Sequence, residues 1–184
     1  MRKLKFSVNP NLIDKIPPED KRWMADGFIS IEDSTDNLVQ CIRDGWAFSY
    51  QFLDQKRKKE NFIASDILVI DVDDHWCISD AIKDPTNSKY CNFLYTTSGH
   101  SPDHHRFRLI FTLPRTITDP EELRAATRSL SKRLKGDPSA TDPARMFYGN
   151  TNAIFHFFNN QISEEFLDEL IKEAKAAFFM SVNK

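Results

Sequence analysis

Asp66-Ile67-Leu68-Val69-Ile70-Asp71-Val72-Asp73-Asp74 is the stretch on which the reading of the whole chain turns. The apolar run Ile67 to Ile70 has the length and β-branched content of a buried strand, and it stops in three carboxylates interrupted by a single valine. Side chains alternate along a strand, so Asp71 and Asp73 share a face, Val72 stays with the core and Asp74 turns elsewhere. Two carboxylates on one face repel each other unless a cation or a shared proton neutralises them. The pattern therefore favours a divalent metal site, the plainer alternative being an acidic turn at a strand end.

Working outward, 184 residues suffice for one substantial core. A single globular domain over 1–184 is expected, with 1–44 a peripheral lead-in, 45–160 the core and 161–184 a terminal helix. A net charge of -2 gives no global nucleic-acid signature, so polynucleotide contacts would have to come from local basic patches. The most concentrated patch is Lys56-Arg57-Lys58-Lys59, just ahead of the acidic strand, where a hairpin-like return would set these cations beside the metal. The three cysteines are widely spaced and fit reduced thiols in a cytoplasmic protein. His75, Cys77, Cys91 and His100 include zinc-ligand types, but no C-x-x-C pair accompanies them and no zinc is expected. The basic N-terminus lacks the apolar region of a signal peptide and no run reaches membrane-spanning length, so no membrane partner is expected.

Elsewhere the chain alternates short elements. Val8 to Asp33, interrupted by Pro10, Pro17 and Pro18, reads as irregular. Ser34 or Thr35 caps a helix carrying Leu38, Val39 and Ile42 that stops at Gly45, and the aromatic run Trp46 to Phe52 favours a strand. A short helix near Ile78 precedes a polar loop around Pro85 to Lys89. Asn92–Thr97 and His104–Leu113 form two strands joined by the Ser98–Asp103 turn. Asp119-Pro120-Glu121-Glu122 starts a helix that Gly136 ends. Its Arg124, Arg128, Lys132, Arg133 and Lys135 read as a solvated face. Met146–Tyr148 and Ala153–Phe158 suggest a closing pair of strands. A last helix is capped by Ser163, stapled by Ile162 on Leu167, and buries Phe166, Leu170, Ala174 and Phe178. The sum is an α+β fold, an antiparallel or mixed sheet with helices packed on one face, plus a small N-terminal α/β lead-in.

Three loops thus carry ionic residues to sheet ends: Asp71 and Asp73, Ser98 to Arg108, and Asp137 to Arg145. A phosphoryl-transfer site needs acids for metals and cations for a triphosphate, and this chain supplies both. Val69-Ile70-Asp71-Val72-Asp73, Ser98-Gly99-His100, and Gly136-Asp137 with Arg145 eight residues beyond Asp137 stand in the order of three motifs. In that order and spacing the chain resembles the archaeo-eukaryotic primase (AEP) superfamily, specifically the primase-polymerase domains of plasmid and phage replication proteins, over Gly45 to Tyr148. The resemblance implies an RRM-like core and two Mg²⁺ or Mn²⁺ ions held by Asp71, Asp73 and either Asp137 or Asp142. It implies nucleotide contacts from Ser98, His100, Arg106, Arg108 and Arg145, with either His100 or the arginines doing the triphosphate work, and template or primer contacts from Lys56 to Lys59. The implied reaction is template-directed attack of a 3′-hydroxyl on the α-phosphate of an NTP or dNTP, on single-stranded DNA. With no P-loop in the chain, a helicase would be a separate protein or another part of a longer one.

Two alternatives compete. A haloacid-dehalogenase-type phosphatase also places Asp-x-Asp after an apolar strand, but Asp74-His75-Trp76 is not its continuation and adjacent strands do not make a doubly wound sheet. A catalytically inactive nucleic-acid-binding module of the same fold would display aromatics such as Phe107, Phe147 and Tyr148 on an open sheet face, where core packing is the preferred reading of each.

Overall fold

The computed structural model describes residues 2–182. Met1 and residues 183–184, which belong to the expected 1–184 domain and its terminal helix, lie outside the described residues. The central element is β5 (Phe62–Val72), whose buried run from Ala64 to Ile70 is the acidic strand extended toward its N-terminus. It pairs antiparallel with β7 (Phe107–Ile117) and β4 (Gln51–Phe52). With β6 (Phe93–Thr96) and β8 (Phe155–Phe157) they form an antiparallel five-stranded sheet in the order β4-β5-β7-β6-β8.

The N-terminal segment is a strand rather than an irregular lead-in. β1 (Leu4–Ile13) is the centre of a second sheet, flanked by β2 (Ile29–Asp33) and β3 (Trp46–Ser49), and it buries Leu4, Phe6, Val8 and Leu12. Pro10 obscured it. The proline is accommodated because the β1–β3 register shifts between Asn9 and Ile13, where no ladder donor is required. Asn9 also ties down the irregular segment that follows, its amide donating to Trp23 O and Asp26 O, each at 2.8 Å. Asp66 of β5, buried, accepts from Lys5 N of β1 and Thr116 Oγ1 of β7, both at 2.8 Å, and so couples the two sheets.

The run Trp46 to Phe52 crosses from one sheet to the other at Tyr50. Ser49 faces Ser7 of β1, while Gln51 faces Ala64 of β5. Packed by both sheets, Ala47, Phe48, Ser49 and Tyr50 are all buried, which is why the stretch does not alternate. α1 (Thr35–Arg43) carries its Ser34 cap, and Gly45 follows at φ +78°. The expected loop at Pro85 to Lys89 is instead α3 (Pro85–Tyr90), following α2 (Ile78–Lys83). Asp84 accepts from Thr86 N and Asn87 N, and Pro85 at the first position completes the start signal.

α4 (Pro120–Arg133) and α5 (Glu164–Val182) cover one face of the large sheet. Ser129 Oγ donates to Leu170 O at 2.6 Å, and Arg133 reaches Glu169 and Glu173 at 2.6 and 2.7 Å, so one cation of the expected solvated face clamps the two helices. The apolar stripe of α5 ends at Ile171, and Phe178 is 65% exposed because the helix outruns the sheet. Nor do Met146–Tyr148 and Ala153–Phe158 pair with each other. Phe147 bridges to Phe48, and Phe155–Phe157 adds to the β6 edge. Phe107 and Phe147 are fully buried, which removes them as stacking platforms for bases. The antiparallel sheet likewise excludes the doubly wound phosphatase alternative.

Candidate active site

The register of β5 on β7 places Asp71 opposite Arg108, and that of β6 on β7 places Tyr95 opposite Arg108 from the other side. A carboxylate, a guanidinium and a phenol thus lie in one row across three strands. Arg108 Nε stands 3.2 Å from Asp71 Oδ1, and these side chains are only 12% and 14% exposed. Its Nη1 donates to Tyr95 Oη at 3.0 Å and to Tyr148 O at 2.8 Å, while Tyr95 Oη donates to Tyr148 O at 3.0 Å. The Phe147 ring lies 5.5 Å from the guanidinium carbon. Burial pulls the Arg108 pKa down, but Tyr95 and Asp71 more than reverse it, so the guanidinium stays charged. The same burial pushes the Tyr95 phenol up to about 12 against the opposing pull of Arg108.

Asp73 is exposed and lies 2.9 Å from Arg106 Nε. Arg106 belongs to the β6–β7 hairpin loop, where Thr97 N donates to Arg106 O at 3.0 Å and His100 Nδ1 accepts from Arg106 N at 3.2 Å. Burial, reinforced by His105, holds the His100 pKa below the usual imidazole range and keeps that nitrogen an acceptor. His100 therefore braces the loop, and it is Arg106 and Arg108 that meet the carboxylates. Both Nε atoms are buried yet make no aligned hydrogen bond despite the short ion-pair distances. The Asp73–Arg106 pair thus holds charge against charge, while the Asp71–Arg108 pair adds one long hydrogen bond, from Nη2 to Asp71 Oδ2 at 3.5 Å. Asp74 turns away as expected, accepting from His75 N at 2.8 Å.

The third acid arrives through a glycine. A Cβ on Gly136 would lie 2.5 Å from Ile70 Cγ2 and 2.7 Å from Ser131 Oγ, so only glycine lets the chain pass this close to β5. The next residue, Asp137, donates its N–H to Asp71 O at 2.8 Å. Its carboxylate accepts from Ser139 N and Ser139 Oγ at 2.8 and 2.7 Å. Asp142, the alternative, does not line the cavity. It accepts from Ala144 N at 2.7 Å, capping the turn that leads to Arg145, and lies 3.6 Å from Arg124.

Asp71, Asp73, Asp137, Ser98, Arg106, Arg108 and Arg145 share the wall of one cavity of about 370 Å³. Of the basic run only Arg57 joins them, anchored by donation to Met24 O and Ala144 O, with burial lowering its pKa against the pull of Asp142. Lys56 and Lys58 are exposed away from the wall, and Lys59 pairs with Glu121 at 2.6 Å. The β4–β5 hairpin brings the run near, but the helical turn Lys59–Asn61 aims its last lysine outward. Sequence reasoning missed Tyr95, Gly149 and Lys15, and offered Tyr148 only as a base-stacking aromatic, whereas here it lines the cavity. Tyr95 is legible as a residue of the strand beside the loop, but nothing local marks Gly149 or Lys15.

Three carboxylates are hard oxygen donors that suit Mg²⁺ or Mn²⁺. Among the described residues, no three acidic, His or Cys side chains are yet gathered around one point. Arg106, Arg108 and Ser139 engage the carboxylates instead, the Nε groups of the two arginines without aligned hydrogen bonds and Arg108 Nη2 through one long contact of 3.5 Å to Asp71 Oδ2.

The sequence profile of the VapE N-terminal domain family matches residues 42–173. The chain belongs to that family. No curated protein matches it. Among solved structures, the AEP domain of the cyanophage S-2L primase-polymerase is similar at TM-score 0.51 and 8% identity, over 93% of this chain and 88% of that one. The catalytic domain of primase RepB′ in complex with initiator DNA matches at TM-score 0.51 and 12% identity, over 100% and 90%. A further structure of primase RepB′ matches at TM-score 0.51 and 11% identity, this chain spanning 61% of it. At such identities the likeness is one of fold: the chain has the α+β fold of an archaeo-eukaryotic primase domain, as its motif order implied. Among the described residues, no helix is long and apolar enough to cross a membrane.

Proposed function

We propose that this domain is a primase-polymerase, joining NTPs or dNTPs to a 3′-hydroxyl on a single-stranded DNA template. The observation that carries the reading is the convergence of Asp71, Asp73 and Asp137 with Arg106, Arg108 and Arg145 on one cavity, in a fold shared with primases. Asp71, Asp73 and Asp137 would hold Mg²⁺ or Mn²⁺, which when bound supplies activation of the attacking hydroxyl and neutralisation of the phosphoryl charge. The chain's own part is positional. Arg108, caged by Tyr95, Tyr148 O and Phe147, presents a fixed cation to phosphate oxygens. Arg106 does so from the loop that His100 braces, and Arg145 from the turn that Asp142 caps. Arg57 completes the basic wall.

One observation favours a second reading, nucleic-acid binding without catalysis: Asp71 and Asp73 already have counter-charges and need no metal to be stable. A single assay separates the two. Unprimed and primed single-stranded templates are incubated with Mn²⁺ or Mg²⁺ and labelled NTPs or dNTPs, and products are resolved on a gel. Catalysis predicts products that vanish in Asp71→Ala and Asp73→Ala. Strand binding with no product in any metal sinks the polymerase reading.

A further inference from the structure

We infer that Lys15 is a phosphate-binding residue of this cavity, delivered by the N-terminal sheet. The inference rests on the nucleotidyl-transfer reading above. β1 ends at Ile13, and the next two residues, Asp14 and Lys15, both adopt left-handed backbone, with φ of 52° and 62°. Two consecutive L-residues in that region are unfavourable, so the surroundings must hold the turn in place.

Three contacts from distant parts of the chain do so. Asp14 N donates to Gly45 O at 3.0 Å, and its carboxylate accepts from Thr151 N and Thr151 Oγ1 at 2.8 and 2.7 Å. The fit is close enough that a Cβ on Gly45 would lie 2.6 Å from Asp14 Oδ1. The segment that holds Asp14 also contains Gly149, another residue of the cavity wall, so the turn and the wall are bolted together. Lys15 is fixed at the cavity's edge as a result.

Charge says what it meets there. The wall carries five cationic residues (Lys15, Arg57, Arg106, Arg108, Arg145) against three acids (Asp71, Asp73, Asp137). Arg106 and Arg108 are engaged by Asp73 and Asp71, and Lys59 outside the cavity by Glu121. Lys15 is exposed and, among the described residues, its ammonium makes no ion pair or hydrogen bond. An unpaired ammonium on a fixed backbone suits a phosphate, as a point charge on a flexible stem. A nucleoside polyphosphate and the backbone of a nucleic-acid strand offer that same chemistry. Lys15 lies outside residues 42–173, the stretch that the family profile matches.

The test compares the full chain with Lys15→Ala, Lys15→Arg and Asp14→Ala in two binding assays. One follows a fluorescent nucleoside triphosphate with Mn²⁺, competed by inorganic tripolyphosphate. The other follows a labelled single-stranded oligonucleotide across a range of salt. Lys15→Ala is expected to weaken binding about three- to tenfold in one arm, with Lys15→Arg retaining most of the affinity. A loss in the first arm assigns Lys15 to the nucleotide. A loss in the second, with the salt slope reduced by about 0.7, assigns it to the strand. Asp14→Ala, with its unfolding midpoint measured alongside, is expected to lose affinity in the same arm because the turn is released. Lys15→Ala within twofold of wild type in both arms overturns the inference alone. A wild type that binds neither ligand overturns the nucleotidyl-transfer reading with it.

Discussion

Replacing Arg108 with Met is the sharpest structural test of the row Asp71–Arg108–Tyr95, because Met keeps the stem and removes the charge and its donors. The substitution deletes the hydrogen bonds from Nη1 to Tyr95 Oη and Tyr148 O, at 3.0 and 2.8 Å. It also leaves the Asp71 carboxylate, at 14% exposure, facing an apolar stem. Breaking one partner of a buried pair costs about 3–5 kcal/mol, and the opening of this pair onto a cavity lowers the expected figure to about 2–4 kcal/mol. Asp71→Asn removes the charge but not the shape, and Arg108 keeps Tyr95 and Tyr148, so about 1–2 kcal/mol is expected. Together the two changes remove the stranded charge, and the double variant should lie about 1–3 kcal/mol above the sum of the singles. Urea unfolding followed by circular dichroism and tryptophan fluorescence gives all four corners of the cycle. The coupling should persist at high salt, since a pair this buried is little screened. Additivity within about 0.5 kcal/mol, or Arg108→Met as stable as wild type, would refute the reasoning.

Gly136→Ala puts a methyl against Ile70 and Ser131, and should cost about 1–3 kcal/mol while weakening Mn²⁺ binding by shifting Asp137; unchanged unfolding and unchanged calorimetry would contradict it. His100 is held neutral, so its contribution to stability is full above the unfolded pKa of about 6.5. That contribution is lost as pH falls through 6.5 toward the depressed folded value, and His100→Gln should flatten the decline seen in unfolding midpoints between neutral and acid pH. Cys41 and Cys91 are buried, burial pushing the Cys41 thiol up to about 11 and the Cys91 thiol further still, while Cys77 lies near the surface. Brief maleimide treatment of the native protein should therefore label Cys77 alone, as read by mass spectrometry of peptides.

What the sequence discloses, and what it hides, follows from whether the deciding contact is local. The strand Ile67 to Ile70, the hairpin turning at Ser98–Asp103 and the caps at Ser34, Asp119 and Ser163 are all read from neighbours within a few residues. β1 is hidden by Pro10, which a register shift against β3, distant in sequence, accommodates. Tyr50 hides the crossing between sheets, since burial from both sides erases alternation. Phe178 is misread for the opposite reason: its helical spacing is right, but the sheet beneath has ended. At the site, Asp137 and Asp142 have the same local signal. What separates them is the passage of Gly136 over Ile70, a contact between α4's exit and β5 that spacing cannot express. Lys15 depends on Gly45 and Thr151 together and has no local signal at all.

The two acids of β5, Asp66 near its middle and Asp71 near its end, show how one strand serves both the fold and the proposed chemistry. Asp66 is the more buried, and its oxygens are met by aligned donors, Lys5 N and Thr116 Oγ1, from both sheets. Moving it would strand donors on two strands, so it is a permanent joint. Asp71 is also largely buried, but its partner Arg108 approaches through an Nε that is not aligned for a hydrogen bond, with a second contact stretched to 3.5 Å. Arg106 stands toward Asp73 in the same way. Each such pair can exchange both partners at once, the carboxylate taking a cation and the guanidinium a phosphate, so that no charge is left uncompensated. Exchanging only one partner leaves a charge uncompensated, at a cost that is large for the buried Asp71–Arg108 pair and smaller for Asp73, which is 60% exposed, and that cost falls on a metal or a triphosphate binding alone. Calorimetric titration of Mn²⁺ should accordingly show markedly tighter binding with a non-hydrolysable nucleoside triphosphate present than without. Arg106→Ala should reduce that difference, because Asp73 then has no internal counter-charge to surrender. Equal Mn²⁺ affinity with and without nucleotide would show that the ion pairs are structural, as the joint at Asp66 is.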